Sequence, residues 1–479
     1  MKLPANGIGV DDEAGIAEFF ENRSVFVTGA TGFIGKILLE KLLRSCPGIK
    51  SVFVLARTKR LANPEHRVAE LLKCKVFDRV RKMDPTALTK VRAVKGDLVE
   101  PNLGMSEDDE KCVINEVSVV FHAAATVSFD EPLKEAVAMN LHGTKCIIDL
   151  CAKIPQMAAF VHLSTAFVNC ERSELLEQVY PPLQDPKKVL NAASWLSHAV
   201  MDDIYETTRG MKPNTYIYTK ALAEALVQSK CQGYPTAIVR PSIVGPAMEQ
   251  PLPGWIDSLN GPIALFLASG NGLLRSVHCD SDKRADLVPA DYCVNLMIAA
   301  AWQVAVTSKK ASPSEVLVFN LATGMENPMT WGEMLKLAMY ISRKMYPFET
   351  TVMYPGLALT KSAVFHKVNT VVFQWLPAVL LDLLAQWTGR PAKLVKIQKK
   401  LVNLQEMLEF FCMREWDFKS KNVQALLNCL SDADASEFYF DVKRLNWREY
   451  LEAGILGCRT YYLGQDPSTI PDSIDHLSK

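Results

Sequence analysis

Three glycines, spaced as Gly29-Ala-Thr31-Gly32-Phe33-Ile34-Gly35, stand between a short β-branched run and a segment of helical apolar spacing. The run is Ser24-Val-Phe-Val-Thr28 and the segment is Lys36-Ile-Leu-Leu-Glu-Lys-Leu-Leu-Arg44. Strand, glycine turn and helix in that order leave few folds open. Gly29 and Gly32 let the backbone turn and approach a pyrophosphate, while Gly35 lets helix and strand pack closely. The helix N-terminus, with Thr31, Phe33 and Ile34 beside or within its first turn, offers amides and a positive dipole end to phosphates. The expected fold class is α/β, a Rossmann-like doubly wound parallel sheet, joined to a mainly helical C-terminal domain.

A chain of 479 residues is too long for one compact core and implies two domains. The expected division is an N-terminal tail over 1–20, a dinucleotide-binding domain with substrate-domain insertions over 21–360, a helical domain over 361–465 and a polar tail over 466–479. Lys and Arg number 53 and so do Asp and Glu. That balance argues against a nucleic-acid partner, which selects for a basic excess. The twelve cysteines include no Cys-x-x-Cys pair. They read as small hydrophobes in a reducing compartment, with no disulfide frame and no metal site. Acidic residues break up the first 24 positions, so no secretory signal is expected and the first domain should face the cytosol. No residue pattern assigns an oligomeric state.

The second strand, Ser51-Val-Phe-Val-Leu55, runs into Ala56-Arg57-Thr58-Lys59-Arg60. An acidic residue here would hold a free ribose hydroxyl, whereas arginine accommodates a 2′-phosphate, so NADPH is expected over NADH. Arg57 is the strongest candidate, with Lys59 and Arg60 as alternates. Further strands end at Asp97-Leu98 and at Ala123 to Ala125, where they open toward the crevice in which the nucleotide lies. Asp97 would meet the adenine and the small Ala123 would leave room for the cofactor. Asn140, at the start of another apolar helical stretch, reads either as a local cap or as a group holding structure or water near the site.

Tyr216 and Lys220 lie four apart, a spacing that stacks side chains on one helix face. An ammonium beneath a phenol favours its ionised form, so the tyrosine is expected to have a lowered pKa and to donate a proton to a carbonyl being reduced. The buried strand ending at Ser164-Thr165 supplies two hydroxyls that could polarise the same oxygen. Strand alternation favours Thr165 as the direct contact. Pro241 opens a segment that either lines the nicotinamide or is a plain strand-to-loop turn.

Together with Gly272-Leu-Leu-Arg275, Asp286-Leu-Val-Pro-Ala-Asp291 and Asn295, these motifs resemble those of the alcohol-forming fatty acyl-CoA reductases, animal and insect branch, within the extended short-chain dehydrogenases. The likeness continues through His366-Lys-Val, Asp382, Gly389-Arg-Pro, Trp416-Asp-Phe418, Trp447, Tyr450 and Gly457-Cys-Arg-Thr-Tyr461, and spans about residues 20 to 463. It implies reduction of a long-chain fatty acyl-CoA to a primary alcohol through a held aldehyde, with two NADPH consumed. In that scheme Tyr216 and Thr165 support the oxyanion, and Lys220 lowers the tyrosine pKa and binds the nicotinamide ribose.

The run from Val368 to Ala385 is long and apolar but is interrupted by Asn369, Gln374, Pro377 and Asp382. A charge within a span costs about 3 kcal/mol, so a full crossing is disfavoured. Arg390, Lys393, Lys396, Lys399 and Lys400 then form a basic face at helical spacing, suited to an anionic membrane surface, to the phosphates of CoA, or to solvent. The family's animal members often carry a further apolar anchor, and Gln465 to Lys479 is polar. The expectation is membrane association, peripheral or through a hairpin built from 368 to 385. The catalytic domain would face the cytosol, on the endoplasmic reticulum with the peroxisome as the alternative.

Overall fold

The structure is a computed structural model that describes residues 14–58, 63–259, 261–310, 315–389 and 391–478. Lys59 and Arg60, the alternates to Arg57, and Arg390 of the basic face lie outside the described residues. The chain forms two compact units. The first comprises the chain up to Val244, Val288–Ala322 and Phe418–Val442; the second comprises Gly245–Leu287, Thr323–Asp417 and Lys443 onward.

The first unit is built on seven strands: β1 (Ser24–Thr28), β2 (Ser51–Ala56), β3 (Val91–Lys95), β4 (Val117–His122), β5 (Ala159–Leu163), β6 (Thr236–Pro241) and β7 (Leu317–Leu321). Their order is β7-β6-β5-β4-β1-β2-β3, and every pairing is parallel. This is the doubly wound arrangement expected, with its order reversing between β1 and β4. Strands β1, β2, β4 and β6 are buried throughout, which explains their near-continuous Val, Ile and Phe content. Helix α1 (Phe33–Ser45) packs with α4 (Ala290–Lys310), and α2 (Gly143–Cys151) packs with α3 (Thr215–Lys230). Arg240 in β6 forms a two-pronged, fully buried pair with Glu224 of α3, at 2.8 and 2.5 Å.

The domain boundaries differ from the expected single division near residue 360. The reason is a set of polar ties that return Phe418–Val442 to the sheet unit. Lys41 and Arg44 on α1 both reach Glu437 Oε1, at 2.7 and 2.9 Å. Asn295 Nδ2 donates to Tyr439 O at 2.7 Å, and Tyr439 OH donates to Asp291 at 3.0 Å. Residues 16–20 are likewise not tail, because Ile16 and Phe20 are fully buried and Trp302 Nε1 donates to Ala14 O.

In the second unit the capping box Thr330-Trp-Gly-Glu333 forms as its spacing requires, opening the helix Trp331–Lys344. The expected polar tail also takes up structure. Asp466 caps a short turn leading into the helix Ile470–Ser478, and the fully buried Arg459 donates to the Asp466 carbonyl and to Thr469.

Strands β4 and β5 set His122 and His162 in register, with ring centroids 5.3 Å apart. His122 Nδ1 meets Thr28 Oγ1 at 2.7 Å and its Nε2 meets Thr144 Oγ1 at 3.0 Å. Neither His162 ring nitrogen has a partner among the described residues. Burial, and then the Lys220 ammonium, lowers His122 to about 3. Burial, Lys220 and His122 hold His162 well below its ordinary value. The unfolded chain protonates both below about pH 6.5. The stability they contribute is therefore complete above that pH and is lost as pH falls toward the folded values. Each should impose a slope of about 1.4 kcal/mol per pH unit within that window. Thermal unfolding followed by circular dichroism from pH 7 to 5 should show a histidine-dependent fall in Tm, set against the opposing gain from Glu177 and Asp286, whose carboxyls burial raises to about 7 and about 6. His162→Leu should flatten that fall, and equal slopes in the two proteins would remove His162 from this role.

Candidate active site

Gly29, at the end of β1, has φ +77°, and a Cβ placed there would lie 2.7 Å from Ala124 N and 2.8 Å from the carbonyl carbon of Ala123. A Cβ on Gly35 would lie 2.1 Å from Gly29 O. Both positions therefore need glycine, as the spacing predicts. Gly32 is different: it caps α1, it is exposed, and a Cβ there would meet only Gly29 O, at 3.2 Å. Its open side lies over the first turn of α1, where Phe33 and Ile34 present amides that have no acceptor within the helix. Thr31, Phe33 and Ile34 are all half-buried at this rim. Open backbone amides at a helix N-terminus are what a dinucleotide's phosphates require, so the residues present fit that cofactor.

Ala123 lies just beyond β4, its N–H donating to Thr28 O at 3.3 Å, directly beside the glycine turn. Arg57 follows β2 with an exposed side chain that has no ion-pair partner among the described residues. Arg67, on the helix Pro64–Leu72, donates to the Arg57 carbonyl, and the two guanidiniums are close enough that Arg57 lowers the Arg67 pKa after burial does. This second cation is ten residues away in sequence, on an ordinary amphipathic helix, and nothing in the motif announces it. Asp97 lies beyond β3, its carboxylate accepting Val99 N at 3.3 Å. Leu98 is 5% exposed and packs against Gly143, so its side chain belongs to the core and only its backbone is left for a ligand.

Tyr216 and Lys220 fall in the first two turns of α3, whose N-terminus is fixed by the Asn214 side chain accepting Ile217 N at 2.9 Å. The Lys220 ammonium is buried and donates to Leu163 O at 2.7 Å. This bond ties the tyrosine helix to the last residue of β5, and Ser164 and Thr165 follow at once. Thr165 Oγ1 accepts Phe167 N at 3.4 Å, which leaves its own O–H free to donate. Ser164 Oγ is buried without a partner among the described residues, a condition that costs about 1–3 kcal/mol unless something else satisfies it. Pro241 is buried at the end of β6, and the next residue, Ser242, donates its N–H to Leu321 O at 2.8 Å.

The expected lowering of the tyrosine pKa is not what these groups produce. Tyr216 is half-buried as a residue, yet burial, followed by Cys293 and Glu224, pushes its phenol above the ordinary value. Burial is the larger effect, and the Lys220 ammonium does not reverse it. Burial in turn lowers Lys220 to about 8, opposed by Glu224. The phenol is thus held protonated, which is the form that donates. Its hydroxyl has no protein hydrogen bond among the described residues, and its ring stacks on Phe129 at 6.0 Å.

Asn140 is not a cap. It is buried inside a π-helical segment, Val137–His142, where its side chain accepts Thr126 N and donates to Thr126 O and to Thr219 Oγ1 on α3. A π-bulge widens the helix enough to turn such a group inward, and these bulges are frequent at functional sites.

The chain matches an NAD-binding family described as male sterility protein over residues 27–297, and a second family of the same description over 373–465. It is 40% identical to fatty acyl-CoA reductase 1 of Xenopus laevis over 97% of this chain and 89% of the relative, and to that of Homo sapiens over the same shares. Identity to fatty acyl-CoA reductase 2 of Bos taurus is 38% over equal shares. Among solved structures, the reductase domain of a nonribosomal peptide synthetase from Mycobacterium tuberculosis shares the fold. Its TM-score is 0.60 at 15% identity, covering 95% of this chain and 94% of that one. The terminal reductase domain of the myxalamid pathway has a TM-score of 0.57 at 18% identity, covering 93% of each. The first unit therefore carries a nicotinamide-dinucleotide-binding domain, and the chain belongs to the fatty acyl-CoA reductase family.

Proposed function

We propose that the protein reduces the thioester of a long-chain fatty acyl-CoA to a primary fatty alcohol, consuming two NADPH and holding the aldehyde between the two reductions. The observation that carries this reading is the Lys220 to Leu163 bond, which holds the Tyr216 helix against the strand end bearing Ser164 and Thr165. Gly29, Gly32 and Gly35 would hold the nicotinamide cofactor, which would supply the hydride for the acyl carbon. The carbonyl oxygen becomes an oxyanion, and the protonated Tyr216 hydroxyl and the free Thr165 O–H donate to it. Release of the CoA thiol from the resulting hemithioacetal leaves the aldehyde. A second hydride on the aldehyde carbon and a proton from Tyr216 complete the alcohol. Lys220 positions α3 and, as an ammonium, adds positive charge close to where the oxyanion develops. Arg57, with Arg67 beside it, offers guanidinium charge at the end of β2 for a 2′-phosphate, which favours NADPH.

The helix Ala363–Trp387, 25 residues long, supports attachment to a membrane surface. Its inward face is Thr370, Gln374, Ala378 and Asp382, spaced four apart, whereas Val368, Val371, Leu376, Leu380, Leu383 and Leu384 are exposed. A helix facing water shows the opposite polarity. Asp382 does not interrupt an apolar span as expected. Its carboxylate accepts Lys393 N, Leu394 N and Val395 N at 2.9 to 3.0 Å and so caps the following helix, Leu394–Cys412. The two helices pack side by side, and Lys393, Lys396, Lys399 and Lys400 are exposed. Exposed leucines beside a cationic helix fit an anionic lipid interface, with the pair lying in its plane.

Three measurements test this reading. Palmitoyl-CoA given to the purified protein should yield hexadecanol at two NADPH per thioester, and Tyr216→Phe should keep its NADPH affinity while losing about 100-fold or more in turnover. Aldehyde at one NADPH would reduce the mechanism to a single step, and retained turnover would remove Tyr216 from its role. Arg57→Glu should lower kcat/KM with NADPH by about tenfold or more while sparing NADH, and equal losses with both would detach Arg57 from the 2′-phosphate. Sedimentation with phosphatidylserine vesicles should capture the protein. The Leu380→Asp/Leu384→Asp pair should release it, since each leucine is worth about 1.5–3 kcal/mol on burial; undiminished capture would clear this helix of the attachment.

A further inference from the structure

The second unit contains a cavity of about 50 Å3 bounded by the helices Pro262–Gly270, Trp331–Lys344 and Trp447–Gly457. Ile263, Phe266, Leu267, Ala338, Gly454 and Ile455 are among the residues that line it, and its surface is almost wholly apolar. Water in such a space would find too few hydrogen-bonding groups to hold it, so the cavity stays dry and suits an apolar guest. Close packing is the rule in protein interiors, and a void kept open among three helices is a departure from it.

Two further features point to a guest. Gly454 sits inside a helix, where glycine is a weaker choice than alanine, and a Cβ there would come within 3.3 Å of Pro246 Cγ in the cavity wall. Its absence keeps the space open. The wall helix Pro262–Gly270 reads Pro-Ile-Ala-Leu-Phe-Leu-Ala-Ser-Gly, and its one polar side chain, Ser269, bonds back to Phe266 O within the same helix. Phe266 and Leu267 are only half-buried, so they can swing aside without breaking a polar contact.

We propose that this cavity receives the methyl end of the substrate's acyl chain, with Ala338 and Gly454 setting the length it accepts. The inference rests on the reading of a long-chain acyl thioester as substrate. The cavity has room for the terminal carbons of a chain and not for its whole length, so it assigns the distal subsite alone. Each methylene withdrawn from water is worth about fourfold in kcat/KM.

The test pairs two filling variants, Ala338→Leu and Gly454→Val, with an enlarging one, Phe266→Ala. The ratio of kcat/KM for stearoyl-CoA to that for lauroyl-CoA should fall about tenfold or more in the filled variants and should not fall in Phe266→Ala. A ratio within twofold of the parent in a filled variant with a parental circular dichroism spectrum would overturn the proposal. Should the filled variants not fold, Phe266→Ala and Ile455→Ala decide it alone: a ratio shifted toward longer chains supports the subsite and an unchanged ratio overturns it. Fluorescence of the polyene fatty acid cis-parinaric acid gives a readout independent of turnover. Enhancement in the parent that is lost in Ala338→Leu would sustain the cavity assignment even if no acyl-CoA were reduced, a result that would sink the catalytic reading instead. No enhancement in the parent would overturn the assignment.

Discussion

The backbone contact between the end of β1 and the first turn of α1 is the constraint on which the first unit depends. With only hydrogens at Gly29 and Gly35, the helix sits so close to the strand that a single added carbon would fall within 2.1 Å of a carbonyl oxygen. That proximity points the α1 N-terminus at the gap where the strand order reverses, between β1 and β4. Two requirements of the site, exposed amides and a floor of backbone without side chains, follow from the same pair of residues. The next layer out is fixed by polar contacts: Thr28 bonds His122, and His122 bonds Thr144. The glycine turn, β4 and α2 therefore cannot shift independently.

What was legible in the sequence is what local spacing encodes. The strand–turn–helix unit, the Tyr216 and Lys220 pair, the hydroxyls ending β5 and the Thr330 capping box all stand within a few residues of their partners. What was not legible depends on partners brought from far along the chain. No window of sequence links Glu437 to Lys41 and Arg44, nor Tyr439 to Asp291, yet these bonds decide that Phe418–Val442 belongs with the sheet. The same holds for Asp382. Read as one residue in an apolar run it is a penalty, but as the acceptor of three backbone amides it is a cap, and those amides hold its pKa below the usual carboxylate value despite desolvation.

The tyrosine illustrates a different limit. Spacing places an ammonium one turn from a phenol, and elementary electrostatics then lowers the phenol's pKa. The structure keeps the spacing and reverses the sign, because burial disfavours the phenolate and Cys293 and Glu224 add to that effect. The two shifts are complementary in consequence. A raised phenol stays protonated, and a lysine at about 8 remains mostly charged at neutral pH while being costly to bury. On the proposed mechanism the site therefore begins each reduction with a proton on Tyr216 and an ammonium one turn along the helix, and the tyrosine is reprotonated after each donation.

The polarity of Ala363–Trp387 follows from the same logic of buried polar groups. Gln374 Nε2 donates to Thr370 Oγ1 at 3.1 Å and Asp382 caps the adjacent helix, so the inward face holds polar groups that find partners there, although Gln374 Oε1 is buried without one among the described residues. The outward leucines and valines have no such need and gain only by leaving water. An ordinary surface helix would reverse both choices at once. Reversing one alone would leave either more unpaired polar atoms inside or exposed apolar surface with no function, so the two faces together fit the lipid attachment proposed above. On that proposal, a chain handling a substrate that is itself largely hydrocarbon would pass the acyl tail between two apolar environments, without solvating it in transit.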